Sequence, residues 1–145
     1  RTVTFDGTGT LDAAAVAFYD VTFNGTTAAS AIFSAVRDVN IGVAGSLTPG
    51  AGVTVTVGRN WTNGNAAAVY PAAAGFIAGT STVTFDTGTG GTTHIVSGDS
   101  IFYNLTADAS AVGVASPVTI QFAGGRTQTI TTGGTLALRG KSDSS

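Results

Sequence analysis

The chain has 145 residues, enough for one domain with a buried core, and a net charge of -2 from six basic and eight acidic side chains. Its hydrophobic content of 43% with so little net charge excludes a disordered chain. A nucleic-acid surface would need a basic stripe, and a membrane span would need about 18 consecutive apolar residues; the sequence has neither. With 25 Thr, no Glu, no Met and one Lys, the composition predicts an all-β protein.

Short stretches of alternating apolar and polar residues, bounded by Gly, Asn and Asp, predict β-strands along the whole chain. In chain order the apolar positions are Val3 and Phe5; Tyr19, Val21 and Phe23; Val39, Ile41 and Val43; Val53, Val55 and Val57; Val83 and Phe85; Tyr103 and Leu105; Val118, Ile120 and Phe122; and Ile130, Leu136 and Leu138. The Ala-rich residues 12–17 and 65–78 fit either loops, which we favour, or short helices.

One phrase occurs twice. Thr2-Val3-Thr4-Phe5-Asp6 returns as Thr82-Val83-Thr84-Phe85-Asp86. A second shared phrase stands at a similar distance behind each copy: Phe18-Tyr19-Asp20-Val21-Thr22 behind the first and Phe102-Tyr103-Asn104-Leu105-Thr106 behind the second. Such self-similarity indicates a repeat architecture. We therefore predict a single domain over residues 1–145, with an internal repeat of 1–80 and 81–140 and a frayed polar tail at 141–145.

The strands are short and irregularly spaced, which favours a right-handed parallel β-helix (a β-solenoid) of roughly six irregular coils. The alternative is an antiparallel β-sandwich, which would need tight two-residue hairpins between matched strands. In the solenoid, nine apolar side chains are expected to point into the column: Val3, Tyr19, Val21, Val55, Phe85, Tyr103, Leu105, Ile120 and Leu138.

These phrases, together with Gly134-Thr135-Leu136-Ala137-Leu138-Arg139-Gly140 and the turn Asn60-Trp61-Thr62-Asn63, resemble the repeats of bacterial surface and secreted parallel β-helix proteins. The Ala-rich residues 65–79 depart from that pattern. The resemblance implies an adhesin-like or structural protein outside the cell.

The low charge and the abundance of Thr, Gly, Ser and Asn also favour an extracellular or cell-surface location. A column of about six coils would expose unpaired strand edges at both ends, and residues 1–9 contain no cap. We therefore expect copies of the chain, or flanking solenoid coils, to pack end to end. The expected function is a segment of a surface adhesin stalk or a subunit of a self-stacking filament.

Binding of surface carbohydrate is the main alternative. Trp61 and Tyr70 could form a sugar-stacking platform, although Trp61 also fits a lid over a corner of the solenoid. Asn24, Asn60 and Asn104 lie in Asn-x-Ser/Thr motifs and are candidate glycosylation sites.

Chemical signatures are weak. His94 is the only histidine and is expected to lie exposed in a turn, which with the absence of Cys and Glu disfavours a zinc site. Asp6, Asp12 and Asp86 fit Asx-turns better than calcium ligands, which leaves calcium a minor alternative. We predict no enzyme and no cofactor. A polysaccharide-acting enzyme would need two paired carboxylates, and an ice-binding face would need evenly spaced Thr-x-Thr pairs.

Overall fold

The computed structural model of the chain describes residues 1–12, 14–65, 75–88, 91–110 and 118–140. Every regular element in this part of the chain is a β-strand. The strands are β1 (Thr2–Phe5), β2 (Gly9–Leu11), β3 (Val16–Phe18), β4 (Asp20–Phe23), β5 (Thr26–Ala29), β6 (Phe33–Ala35), β7 (Asp38–Ile41), β8 (Ser46–Pro49), β9 (Thr54–Val57), β10 (Asn60–Asn63), β11 (Thr82–Phe85), β12 (Thr93–Ser97), β13 (Ser100–Asp108), β14 (Thr119–Phe122) and β15 (Gln128–Arg139).

The strands form three sheets in which all pairs are parallel. Sheet 1 has the order β1-β4-β7-β10-β12-β14, sheet 2 the order β3-β6-β9-β11-β13-β15, and sheet 3 the order β2-β5-β8. In the later coils the third side of the column is formed by the parallel bridge between Leu47 and Phe76 and by the paired first residues of β13 and β15. The chain therefore winds around three sides of a column, which confirms the parallel β-solenoid; the antiparallel sandwich is wrong.

The column has six coils within the described residues. The inward row of sheet 1 marks one residue per coil: Val3, Val21, Val39, Trp61, Val96 and Phe122. Successive members of this row are 18, 18, 22, 35 and 26 residues apart. The predicted number and irregularity of the coils are thus confirmed.

Alternation along each strand separates an apolar interior from a polar exterior. In β9, for example, Val55 and Val57 are buried whereas Thr54 and Thr56 are partly exposed. The inward row of sheet 2 stacks in the same way: Val16, Phe33, Val55, Val83, Leu105 and Leu136. Burial of these side chains against their neighbours above and below supplies about 25 cal/mol per Å² of apolar surface.

Two clusters of aromatic rings lie in the interior along the axis. Phe5 stacks on Phe23 with 5.3 Å between ring centroids, and Phe23 meets Phe33 edge-on at 5.9 Å. Farther along, Trp61 meets Phe76 at 4.7 Å and also approaches Phe102. Edge-on and offset contacts of this kind add stability beyond the area that they bury.

The predicted inward positions divide into three groups. Val21, Val55, Phe85 and Leu105 are buried, as predicted, and Tyr103 and Ile120 are partly buried against the core.

Three of the predicted inward residues are instead exposed: Val3 by 38%, Tyr19 by 48% and Leu138 by 44%. Val3 and Leu138 do lie in the inward rows, but they belong to the first and last coils and have a neighbouring coil on one side only. Tyr19 is the single residue between β3 and β4, so it lies at a corner of the column.

The two copies of Thr-Val-Thr-Phe do not occupy equivalent positions. The first forms β1 in sheet 1, whereas the second forms β11 in sheet 2. The same alternation suits either side of the column, so the identity reflects strand chemistry rather than a structural repeat of 1–80 and 81–140. Of the Ala-rich segments, residues 16–17 belong to β3; residues 13 and 66–74, like the tail at 141–145, lie outside the described residues.

Val55→Asp tests the inward assignment. The carboxylate would be buried between Phe33 and Val83 with no partner, at a cost of about 4 kcal/mol or more, and should abolish folding. Far-ultraviolet circular dichroism during thermal unfolding would measure the loss. Thr56→Asp is the matched control, because Thr56 is adjacent but points outward; equal damage from both substitutions would contradict the assignment.

Candidate functional site: corners, faces and ends of the column

Charged side chains form a ladder along one edge of sheet 1. Arg37 lies between two carboxylates, with Nε 3.0 Å from Asp20 Oδ1 and Nη2 3.4 Å from Asp38 Oδ2. Arg59 reaches Asp38 from the next coil at 3.2 Å, and Asn60 donates to the same carboxylate at 2.9 Å. Each arginine therefore contacts the aspartate one coil back, and the ladder ties neighbouring coils together from outside.

Tyr19 begins this ladder. The guanidinium of Arg37 lies over its ring, 5.1 Å from the centroid, and half of the tyrosine side chain faces solvent. A side-chain hydrogen bond with Tyr19, reinforced by the charges of Asp20 and Asp38, raises the pKa of Arg37 above its ordinary value. The corner thus presents an exposed aromatic ring beside hydrogen-bonding groups.

The three candidate glycosylation residues all take part in hydrogen bonds between coils. The amide Nδ2 of Asn24 donates to Asp6, that of Asn60 to Asp38 and that of Asn104 to Thr82. The Oδ1 atoms of Asn60 and Asn104 accept main-chain hydrogen bonds from Ile95 and Thr135. A glycan on any of these nitrogens would compete with a contact between coils; their modification stays a prediction.

Trp61 does not form a sugar platform. Its side chain is 0% exposed, lies in the inward row of β10 and packs against Phe76 and Phe102. Its indole Nε1 donates to Ser100 Oγ at 3.1 Å, which satisfies the one polar atom of the ring. A fully buried ring cannot stack on a sugar, nor is it a lid on a turn. Tyr70 lies outside the described residues.

His94 is buried, so the prediction of an exposed loop histidine is wrong. It points inward from β12, its ring lies 5.3 Å from that of Phe85, and Nδ1 is 3.2 Å from the carbonyl oxygen of Arg59. Nε2 has no hydrogen-bond partner among the residues that the structure describes. Burial lowers the pKa of His94 below its ordinary 6.5, outweighing the hydrogen bond to Arg59 and the charge of Asp86. The neutral ring acts as a core side chain.

The aspartates considered for calcium make other contacts. Asp86 accepts a hydrogen bond from the main chain of Gly88 at 3.0 Å, as in the expected Asx-turn. Asp6 and Asp12 instead accept from Asn24 and Ser30 in the second coil. Among the described residues, no group of three or more His, Cys, Asp or Glu is arranged to hold a metal ion.

Threonine ranks cover the outer face of sheet 2. Thr54 and Thr56 lie directly beside Thr82 and Thr84 on the next coil, although 28 residues separate them in the chain. Asn104 and Thr106 continue these ranks, and the hydroxyls of Thr84 and Thr106 are 2.8 Å apart. These side chains therefore bond along the axis. The pair Thr2 and Thr4 lies in sheet 1, so the Thr-x-Thr pairs do not all share one face; ice binding stays a less favoured alternative.

The two ends of the column expose the apolar interior. In the first coil Val3 is exposed, and Phe5 and Phe18 are only partly covered. In the last coil the large apolar side chains Phe122, Leu136 and Leu138 are exposed. A groove beside them is lined by Leu105, Phe122, Arg126, Gln128, Ile130 and Leu136. Open ends follow from the sequence pattern, whereas the charges that flank them become visible only in the fold.

These observations define the chain as a parallel β-solenoid protein with laddered polar corners. No protein-family model, curated protein or solved structure matches the chain. The described part of the chain contains no helix with the length and apolar character needed to span a membrane.

The buried His94 predicts a distinct dependence of stability on pH. The unfolded chain takes up a proton near pH 6.5, whereas the folded chain does so only at lower pH. The free energy of unfolding should therefore be highest above about pH 6.5 and fall as the pH is lowered toward the folded-state pKa.

His94→Leu should flatten this dependence between pH 7 and pH 5, because Leu suits a site whose register partner is Ile120. Urea unfolding at several pH values would measure it. An unchanged pH slope in the variant would contradict a buried, neutral His94.

Proposed function

We propose that this chain is an extracellular structural protein: a β-solenoid segment of a surface adhesin stalk, or a subunit of a filament. The observation that carries the proposal is the unbroken parallel pairing of six strands in each of two sheets, so that each coil is held by the main chain of its neighbours. Such a column serves as a stiff spacer, because its length is set by the number of coils at about 4.8 Å each.

The contacts outside the core support a mechanical role. Neighbouring coils are joined by the Asp20–Arg37–Asp38–Arg59 ladder and by side-chain bonds such as Thr84 to Thr106. Exposed ion pairs contribute little singly, about 0–1 kcal/mol, but a network that spans several coils resists peeling at each step. Polar bonds across every coil boundary suit a protein that must stay folded under load and among proteases.

Composition supports a location outside the cell. The chain has low charge and many Thr, Gly, Ser and Asn residues, and it contains no Cys, so its folding needs neither a reducing nor an oxidising compartment. The resemblance of its strand phrases to bacterial surface and secreted β-helix repeats agrees with this location and with an adhesin-like parent protein.

A location and protease test addresses the structural proposal. Antibodies raised against the folded column should label intact cells of the source organism or its medium, and the purified chain should resist a broad-specificity protease that rapidly digests Val55→Asp. Labelling only after the cells are broken open, or rapid digestion of the unmodified chain, would contradict the proposal.

Carbohydrate binding is the second candidate, and the structure favours a different residue for it. Tyr19 exposes an aromatic ring beside Arg37 and Asp20, which is the combination that a sugar face and its hydroxyls require.

If this function holds, soluble cell-wall polysaccharides should slow the chain in affinity electrophoresis, and Tyr19→Ala should abolish the effect while Val43→Ala, another exposed side chain, should not. Equal mobility of all three proteins would count against a sugar site at this corner.

A further inference from the structure

We infer that the two ends of the column bind each other, so that copies of this chain stack head to tail, the last coil of one copy against the first coil of the next. The inference rests on the proposed structural function and names its partner: a second copy of the chain. It follows from the main-chain edges, the side-chain rows and the charges at the two ends.

Strand direction fixes the orientation of such a contact. β1 pairs only with β4 and β3 only with β6, while β14 pairs only with β12 and β15 only with β13. Each of these end strands has one edge that bonds to no other described strand. All strands of a sheet run the same way, so only head-to-tail stacking lets β14 meet β1 and β15 meet β3 as parallel pairs.

If the strand register continues from the last coil of one copy to the first coil of the next, apolar side chains meet apolar side chains. The inward row of sheet 1 would continue from Phe122 of one copy to Val3 of the next, and that of sheet 2 from Leu136 to Val16. The exposed Leu138 would meet Phe18. Each pairing sets an apolar residue on an apolar residue, as in the interior of the column, and covers side chains that are now solvated.

The corner between sheets 1 and 3 carries complementary charges at the two ends. Arg126 follows β14 and pairs with Asp99 of the coil before it at 3.6 Å. Asp6 follows β1 and occupies this corner in the first coil. Stacking would set Asp6 of the next copy on the open side of Arg126. Arg37 shows that one guanidinium in this column can contact two carboxylates, since it reaches Asp20 one coil back and its sequence neighbour Asp38.

Between stacked copies, a second cation, Arg139, would lie beside the exposed ring of Tyr19. Arg139 follows Leu138, and Tyr19 follows Phe18, so the stacked ends bring Arg139 to the level of Tyr19. Arg37 covers the Tyr19 ring from the second-coil side, which leaves the side toward the column end for Arg139. The interface is heterologous, so each added copy presents a new free end and the assembly grows as a filament.

Charge exchange tests the stacking directly. Asp6→Arg alone should set two guanidinium groups against each other across the contact, and Arg126→Glu alone should set two carboxylates against each other there. Each substitution should weaken self-association about ten-fold in sedimentation velocity at low salt. An equimolar mixture of the two variants should associate again, because the substituted end of one protein then meets an opposite charge at the substituted end of the other.

Matched controls separate the ends from general charge effects. Arg59→Glu, the control for Arg126→Glu, removes a guanidinium of nearly equal exposure (47% against 48% for Arg126) from a similar ion pair in mid-column. Asp86→Arg, the control for Asp6→Arg, replaces an exposed corner aspartate with an arginine. Neither should change association.

Folded monomers at all concentrations, or variants that associate no better mixed than alone, would overturn head-to-tail stacking. The proposed structural function would survive that result, since its own test depends on location and protease resistance. A folded chain that assembles but is labelled only inside cells would support the stacking and contradict the proposed extracellular function.

Discussion

Every coil of this protein depends on the main chain of the coil beside it. Strand N–H and C=O groups point along the column axis, and each buried group that lost its partner would cost about 1–3 kcal/mol, whereas each bond made contributes only about 1 kcal/mol net. The ladder must therefore be continuous wherever the strands are buried. Side chains follow the same rule, because an inward residue is covered above and below by the residues of its own row.

This constraint explains why coils of very different length share one column. Steps of 18 to 35 residues separate equivalent positions, yet the inward rows remain aligned. Connections between strands need no ladder and can therefore differ in length. Close approach of coils at the corners does restrict some of them: a Cβ on Gly58 would lie 1.9 Å from the carbonyl oxygen of Val36. Polar ladders such as that of Asp38 and Arg59 collect at such corners, and with the open ends they are the chemically distinctive parts of the surface.

Much of the fold could be predicted from local pattern. The alternation around Val55 and Val57 gave the correct inward face, and the short irregular strands indicated a parallel solenoid with about six coils. Local pattern could not assign strands to sides, because the side depends on the summed lengths of the connections before it. For that reason the identical phrases at Thr2 and Thr82 fall in different sheets, while Thr54 and Thr82, in strands that look unrelated in spacing, are direct neighbours.

The candidate site was less predictable for a related reason. The glycines and threonines before His94 indicated a turn, but the register with Ile120 places its ring in the core. Trp61 follows a turn and nevertheless fills an inward position. Their burial is set by neighbouring coils distant in sequence, and the same holds for the cations near one end and the aspartates near the other.

Paired cysteines test the central claim, parallel in-register stacking, most directly, because the chain has no Cys of its own. Ser34→Cys with Thr56→Cys places two thiols on adjacent coils in register, with Cα atoms about 5 Å apart, within the range for a disulfide. A parallel column predicts rapid cross-linking of this pair and none for Ser34→Cys with Thr84→Cys, two coils apart. Cross-linking of the second pair, or failure of the first in a folded protein, would contradict the stacked column.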